Sequence, residues 1–151
     1  MLSIHSTAVL AHYQAWSQQS PMLTGFALQI DWASQRIAFS ARTLQWELDA
    51  QNADIDDPQS WPLQSEWLIS DAIVWPEAQG ETDEAQQAFQ QQQASTFHQC
   101  VQLLYRLRQA QHFAEGCLLT VVCYPQKAYS HYWSQGAAQY LNRVGEVTRE
   151  A

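Results

Sequence analysis

The chain has 151 residues, 46% hydrophobic and 12% aromatic with seven Trp, enough for one domain with a buried core. Only 15% of the residues are charged, and the formal net charge is −8. This balance excludes a disordered tail, a collagen-like fibre and a coiled-coil rod.

Residues 3–19 read as an amphipathic helix, with Ala8, Ala11 and Ala15 on one side and Val9, Tyr13 and Trp16 beside them. Ser20-Pro21 ends it, because the residue before a proline is pushed out of the helical region. Phe26, Leu28, Ile30 and Trp32 then alternate with Ala27, Gln29 and Asp31, the pattern of a half-buried strand. A turn at Ala33-Ser34-Gln35 leads to Ile37 and Phe39, which predict the return strand of a hairpin. Arg42 to Ala50 reads as a short helix, and residues 51–65 as a polar loop holding Pro58, Trp61 and Pro62. Trp67-Leu68-Ile69 predicts a third strand, with Ile73-Val74-Trp75 as its extension or a separate piece.

Thr82 or Asp83 caps a long helix that reaches about His112 and is stopped by Gly116. Its middle, Gln90 to Gln93, is polar all round, so the first half is expected to fray or project. Residues 117–124 are apolar on both faces, as in a central strand, and a last helix covers about Tyr132 to Val144. The fold class is therefore α+β: a small, largely antiparallel sheet packed by an N-terminal helix, a long central helix and a C-terminal helix. Residues 1–151 form a single domain, without internal repeat or dividing linker.

Charge is unevenly placed. Between Arg42 and Arg106 there are eleven Asp and Glu and no Lys or Arg, so residues 43–105 carry −11 and the rest of the chain +3. Such a potential repels phosphate backbones and anionic membranes, and attracts and steers a basic protein. No nucleic-acid or membrane partner is expected. No stretch approaches 18 consecutive apolar residues, and the N-terminus has no basic region like that of a secretory signal, so the expected compartment is the cytoplasm.

Tests for catalytic chemistry are negative. Asn52, Asp54 and Asp56 start a calcium-loop pattern, but Asp57 stands where glycine is needed and Leu63 where a bidentate Glu is needed. The five histidines lack zinc spacing, and no Gly-rich phosphate loop or nucleophile elbow occurs. Cys117 and Cys123 share one parity of an apolar strand and read as buried, inert thiols. No catalytic residue, metal or cofactor is expected. Trp46, Trp61, Trp67 and Trp75 all fall in the base-free window; Trp67 reads as core, and Trp61 as a partly exposed aromatic ringed by carboxylates, the makings of a binding hot spot.

Phe26-Ala27-Leu28-Gln29-Ile30 after an N-terminal helix, Trp61-Pro62, and a long helix before Leu119-Thr120-Val121-Val122-Cys123-Tyr124-Pro125 carry a resemblance in element order over most of the chain. The chain resembles a bacterial family of small α/β domains found among immunity proteins of polymorphic toxin systems. The resemblance implies a non-enzymatic cytosolic protein that binds and blocks a cognate toxin. An inhibitor of a basic nuclease is expected to be acidic. The expected partner-binding residues are Asp54, Asp56, Asp57 and Trp61, with Glu81, Asp83 and Glu84 as a second patch. The alternatives are an adaptor or assembly subunit that docks through the long helix and is sensitive at Phe89, and a hydrolase or metal enzyme lacking a recognisable motif, for which His98, His112 and His131 would be the candidates.

Overall fold

The alternating apolar residues form strands at Leu23–Asp31 (β1) and Arg36–Thr43 (β2), paired antiparallel across a four-residue turn. A computed structural model describes residues 2–20, 22–49, 57–69, 75 and 82–142. The Asp31 carboxylate closes the turn by accepting from the Ala33 and Ser34 N–H groups. Gln35 takes the left-handed φ of 54° that the reversal needs.

Helix α1 spans Leu2–Gln19 and α2 Leu44–Asp49, followed by a single 3-10 turn at Pro58–Ser60. The loop expected over residues 51–65 thus contains structure where it is described, including the short strand Leu63–Gln64 (β3). The expected third strand is Leu68–Ile69 (β4), and residues 70–74 lie outside the described residues. Helix α3 runs Asp83–Gln109, strand β5 Leu118–Tyr124 and helix α4 Ala128–Asn142, four residues earlier at its start than expected.

The sheet order is β3-β2-β1-β5, with β4 also on β2. Only the β1–β5 pairing is parallel, so the sheet is largely antiparallel and the fold is α+β. The register places Leu28 opposite Phe39 and Val121, and Phe26 opposite Ala41 and Leu119, on one face of the sheet. Phe26 has ring contacts to Tyr13, Trp16, Phe39 and Phe113, and α1 and α3 pack over this face in one continuous core. The buried stripe of α1 is Val9, Tyr13 and Trp16, whereas Ala11 and Ala15 are exposed. The large side chains win the core because burial stabilises in proportion to apolar area.

β1 is not half-buried, as its alternation suggests; all residues from Gly25 to Ile30 are buried. Its other face, with Gly25, Ala27 and Gln29 beside Ala38, Ser40 and Arg42 of β2, is small and polar, and the segment after Asp57 lies over it. Gln29 donates to Gln64 and accepts from the Tyr124 hydroxyl, while Gln64 donates to the Pro58 and Trp61 carbonyls. Gly25 is fixed by close approach: a Cβ there would sit 2.7 Å from Arg42 Nε.

β5 ends the described sheet rather than lying at its centre. Its burial comes from α3 and α4. The Asn142 amide accepts from the Leu119 N–H and donates to the Leu119 carbonyl, as a neighbouring strand residue would. Arg108 donates to the Cys117 carbonyl and to the same Asn142 oxygen. Helix α3 stops at Gln109, well before Gly116, and Gln111 at φ 65° makes the reversal. The His112 N–H then returns to the Leu107 carbonyl, satisfying one of the helix's terminal acceptors without glycine.

Candidate protein-binding surface

The expected binding residues separate into three groups. Asp54, Asp56 and Glu81 lie outside the described residues. Asp57 caps the 3-10 turn, its carboxylate accepting from the Gln59 N–H. Asp83 and Glu84 are exposed in the first turn of α3, behind the Thr82 cap that accepts from the Ala85 N–H, where negative charge suits the helix dipole.

Trp61 is a correction. It is only 5% exposed, and its ring lies 5.0 Å from the Arg42 guanidinium carbon, so it packs into the fold rather than projecting as a binding residue. Arg42 is itself buried, with Glu47 3.9 Å from its Nε. Trp67, expected in the core, is the more exposed of the two at 37% and meets Tyr124 edge-on. The 3-10 turn causes this exchange by folding Trp61 back onto the sheet.

Helices α3 and α4 supply a surface that motif reading missed. Tyr129 donates to Gln93, the rings of Phe97 and Trp133 are 5.6 Å apart, and those of Tyr105 and Tyr140 stack at 4.6 Å. These contacts advance together along both chains, so the two helices run side by side in the same direction. A groove of about 530 Å³ opens between them, with Ala94 and Gly136 among its small residues and Phe97, His98, Trp133 and Tyr140 beside them. The readable signal was an absence: no Asp, Glu, Lys or Arg occurs from Ala85 to Tyr105 or from Ala128 to Asn142. Earlier on α3, residues 83–92 are exposed apart from half-buried Ala85 and Phe89, so the helix projects without losing its helical form.

Reactive groups are not assembled here. Among the described residues no three His, Cys, Asp or Glu side chains are grouped to hold a metal ion. Cys100, Cys117 and Cys123 are free and buried, and desolvation pushes the Cys100 and Cys117 thiols from the ordinary 9.0 up to about 12 and raises Cys123. Burial likewise raises the Tyr124 hydroxyl, helped by the nearby Asp57 charge, and lowers Arg108. At pH 8 a thiol reagent is expected to leave all three cysteines of the native protein unlabelled over minutes, and to label all three in urea. Rapid labelling of the native protein would contradict this burial. Above pH 9.0 the unfolded chain sheds thiol protons that the folded chain keeps. Stability therefore falls as pH rises from there toward 12, measured by urea unfolding at stepped pH.

Among the described residues no helix is long and apolar enough to cross a membrane. Compared with known protein families, curated proteins and solved structures, the chain matches none.

Proposed function

We propose that this protein is a non-enzymatic inhibitor of the immunity type, binding a basic toxin in the cytoplasm through its acidic surface. The observation that carries the reading is the base-free window with its eleven carboxylates. Within it Asp49, Glu66, Asp83 and Glu84 are exposed, and Glu47 lies 3.9 Å from the buried Arg42. Carboxylates left facing water keep their field for an approaching partner, which raises the encounter rate at low salt. The burial of all three thiols supports a binding role over thiol chemistry.

The test is a tagged pull-down from the cells that make the protein, eluted at low and high salt, followed by growth of cells expressing the recovered partner with and without this chain. One basic partner in equal amount, released by salt and no longer toxic beside this chain, is the expected result. Neutralising Asp54, Asp56 and Asp57 to Asn together is expected to slow association roughly tenfold at low salt, with the unfolding midpoint little changed. Unchanged kinetics would remove that patch from the interface.

The projecting start of α3 favours a second reading, an adaptor docked through that helix. Salt-insensitive binding that Phe89→Ala abolishes would select it.

A further inference from the structure

We propose that the groove between α3 and α4 is a binding pocket for a neutral, planar aromatic small molecule. The proposal goes beyond the toxin reading and uses none of its carboxylates.

The ends of the groove select a small occupant. The residues lining it run from Ala94 to Gln102 on α3 and from Trp133 to Tyr140 on α4. Before them the Tyr129 hydroxyl donates to Gln93 at 3.1 Å, and beyond them Tyr105 stacks on Tyr140 with ring centres 4.6 Å apart. The two helices are therefore tied together at both ends of the groove and leave space between the ties. At 1.5 Å per residue the open stretch of α3 is about 12 Å long. A docked helix or strand would have to run on past these closing contacts, whereas a compact molecule ends within them. The volume of about 530 Å³ lies within the roughly 300–1,000 Å³ of small-molecule pockets.

The lining selects the chemistry. Phe97, Val101 and Ala137 are buried and form the floor, and the half-buried Trp133 and exposed Tyr140 form the α4 wall. The Phe97 and Trp133 rings lie 5.6 Å apart and tilted, and together with Tyr140 they offer faces and edges that suit another aromatic ring. No Asp, Glu, Lys or Arg lines the groove, so a charged ligand would lose its hydration with no opposite charge to replace it. His98 and Gln102, one turn apart on α3, supply an imidazole and an amide for a single polar group on the ligand.

Gly136 adds an independent sign. Glycine inside a helix is less stable than alanine. No atom lies within 4 Å of where its Cβ would sit, so the fold itself makes no use of the missing side chain. What the glycine does is keep the mouth of the groove open.

Titration of the full chain with N-phenyl-1-naphthylamine, a neutral fluorescent dye, tests this. The charged counterpart is 8-anilino-1-naphthalenesulfonate, the same ring system carrying a sulfonate. The expected result is a saturable rise in fluorescence at one neutral dye per chain. The sulfonate is expected to bind at least ~10-fold more weakly, even in high salt that screens the charge of the chain. Gly136→Leu puts a side chain into the open space and is expected to weaken the neutral dye at least ~10-fold. Its unfolding midpoint is expected to equal or exceed that of the unaltered chain. Tyr140→Ala removes part of the wall and is expected to weaken binding at least ~5-fold. Tyr132→Ala, on α4 outside the groove and 72% exposed, is expected to leave it within about twofold. No binding of the neutral dye up to its solubility limit overturns the proposal. So does a sulfonate that binds as tightly as the neutral dye, or neutral-dye binding that Gly136→Leu leaves unchanged. Equal weakening by Tyr132→Ala and Tyr140→Ala also overturns it, and marks the face as open surface of the kind a protein partner covers.

Discussion

Trp61→Ala is expected to lower the free energy of unfolding by about 3–5 kcal/mol, the cost of removing a large buried aromatic and leaving a cavity. The side chain lies over the polar face of the sheet, 5% exposed, against a buried arginine. Its loss removes the ring that Arg42 rests on, a contribution of about 0.5–2 kcal/mol within that total. It also loosens the turn whose Pro58 and Trp61 carbonyls accept from Gln64. Urea unfolding followed by circular dichroism measures the effect, and Trp61→Phe is expected to recover about half of it. Partner binding distinguishes the two roles this residue has been given: the folded fraction of Trp61→Ala is expected to associate at the wild-type rate. A variant of full stability that no longer binds would return Trp61 to the interface.

Phe26→Ala is expected to cost a similar amount, about 3–5 kcal/mol, on the opposite face of the same sheet. Phe26 is fully buried, and its ring lies 5.6 to 6.0 Å from those of Phe113, Tyr13, Phe39 and Trp16. One truncation therefore opens contacts from α1, β2 and the segment after α3 together, leaving a space their rings cannot collapse to fill. Ile69→Ala is the comparison: Ile69 is 74% exposed, and its change is expected to stay within about 0.5 kcal/mol. Equal effects at the two positions, read from urea midpoints, would contradict the placement of the core.

The hairpin, the long helix from its Thr82 cap and the final strand were legible because local signals and packing agree there. Alternation and tertiary burial assign Phe26, Leu28 and Ile30 to the same face. What the alternation could not reveal is that Ala27 and Gln29 are buried too. Their cover comes from residues more than 25 positions away, and nothing local announces it. The exchange of Trp61 and Trp67 has the same origin: a Pro-bounded polar stretch reads as surface, but Asp57 and Pro58 start a turn that folds it inward. The end of α3 misled because glycine is the common reversal residue, whereas Gln111 adopts the left-handed conformation here. Of the candidate site, the charge window was readable by counting and its three-dimensional grouping was not. The α3–α4 face was hidden for the opposite reason, since it is marked by residues that are missing from it.

The Asn142 amide has a consequence for solubility. Strand β5 ends the described sheet, and an open strand is a template on which an intruding chain can add itself. At Leu119 the donor and acceptor such an intruder would use are already taken by a side chain from the end of α4. A helix terminus thus serves as a plug against fibril-like growth, and it sits beside the apolar run where such growth would be most damaging.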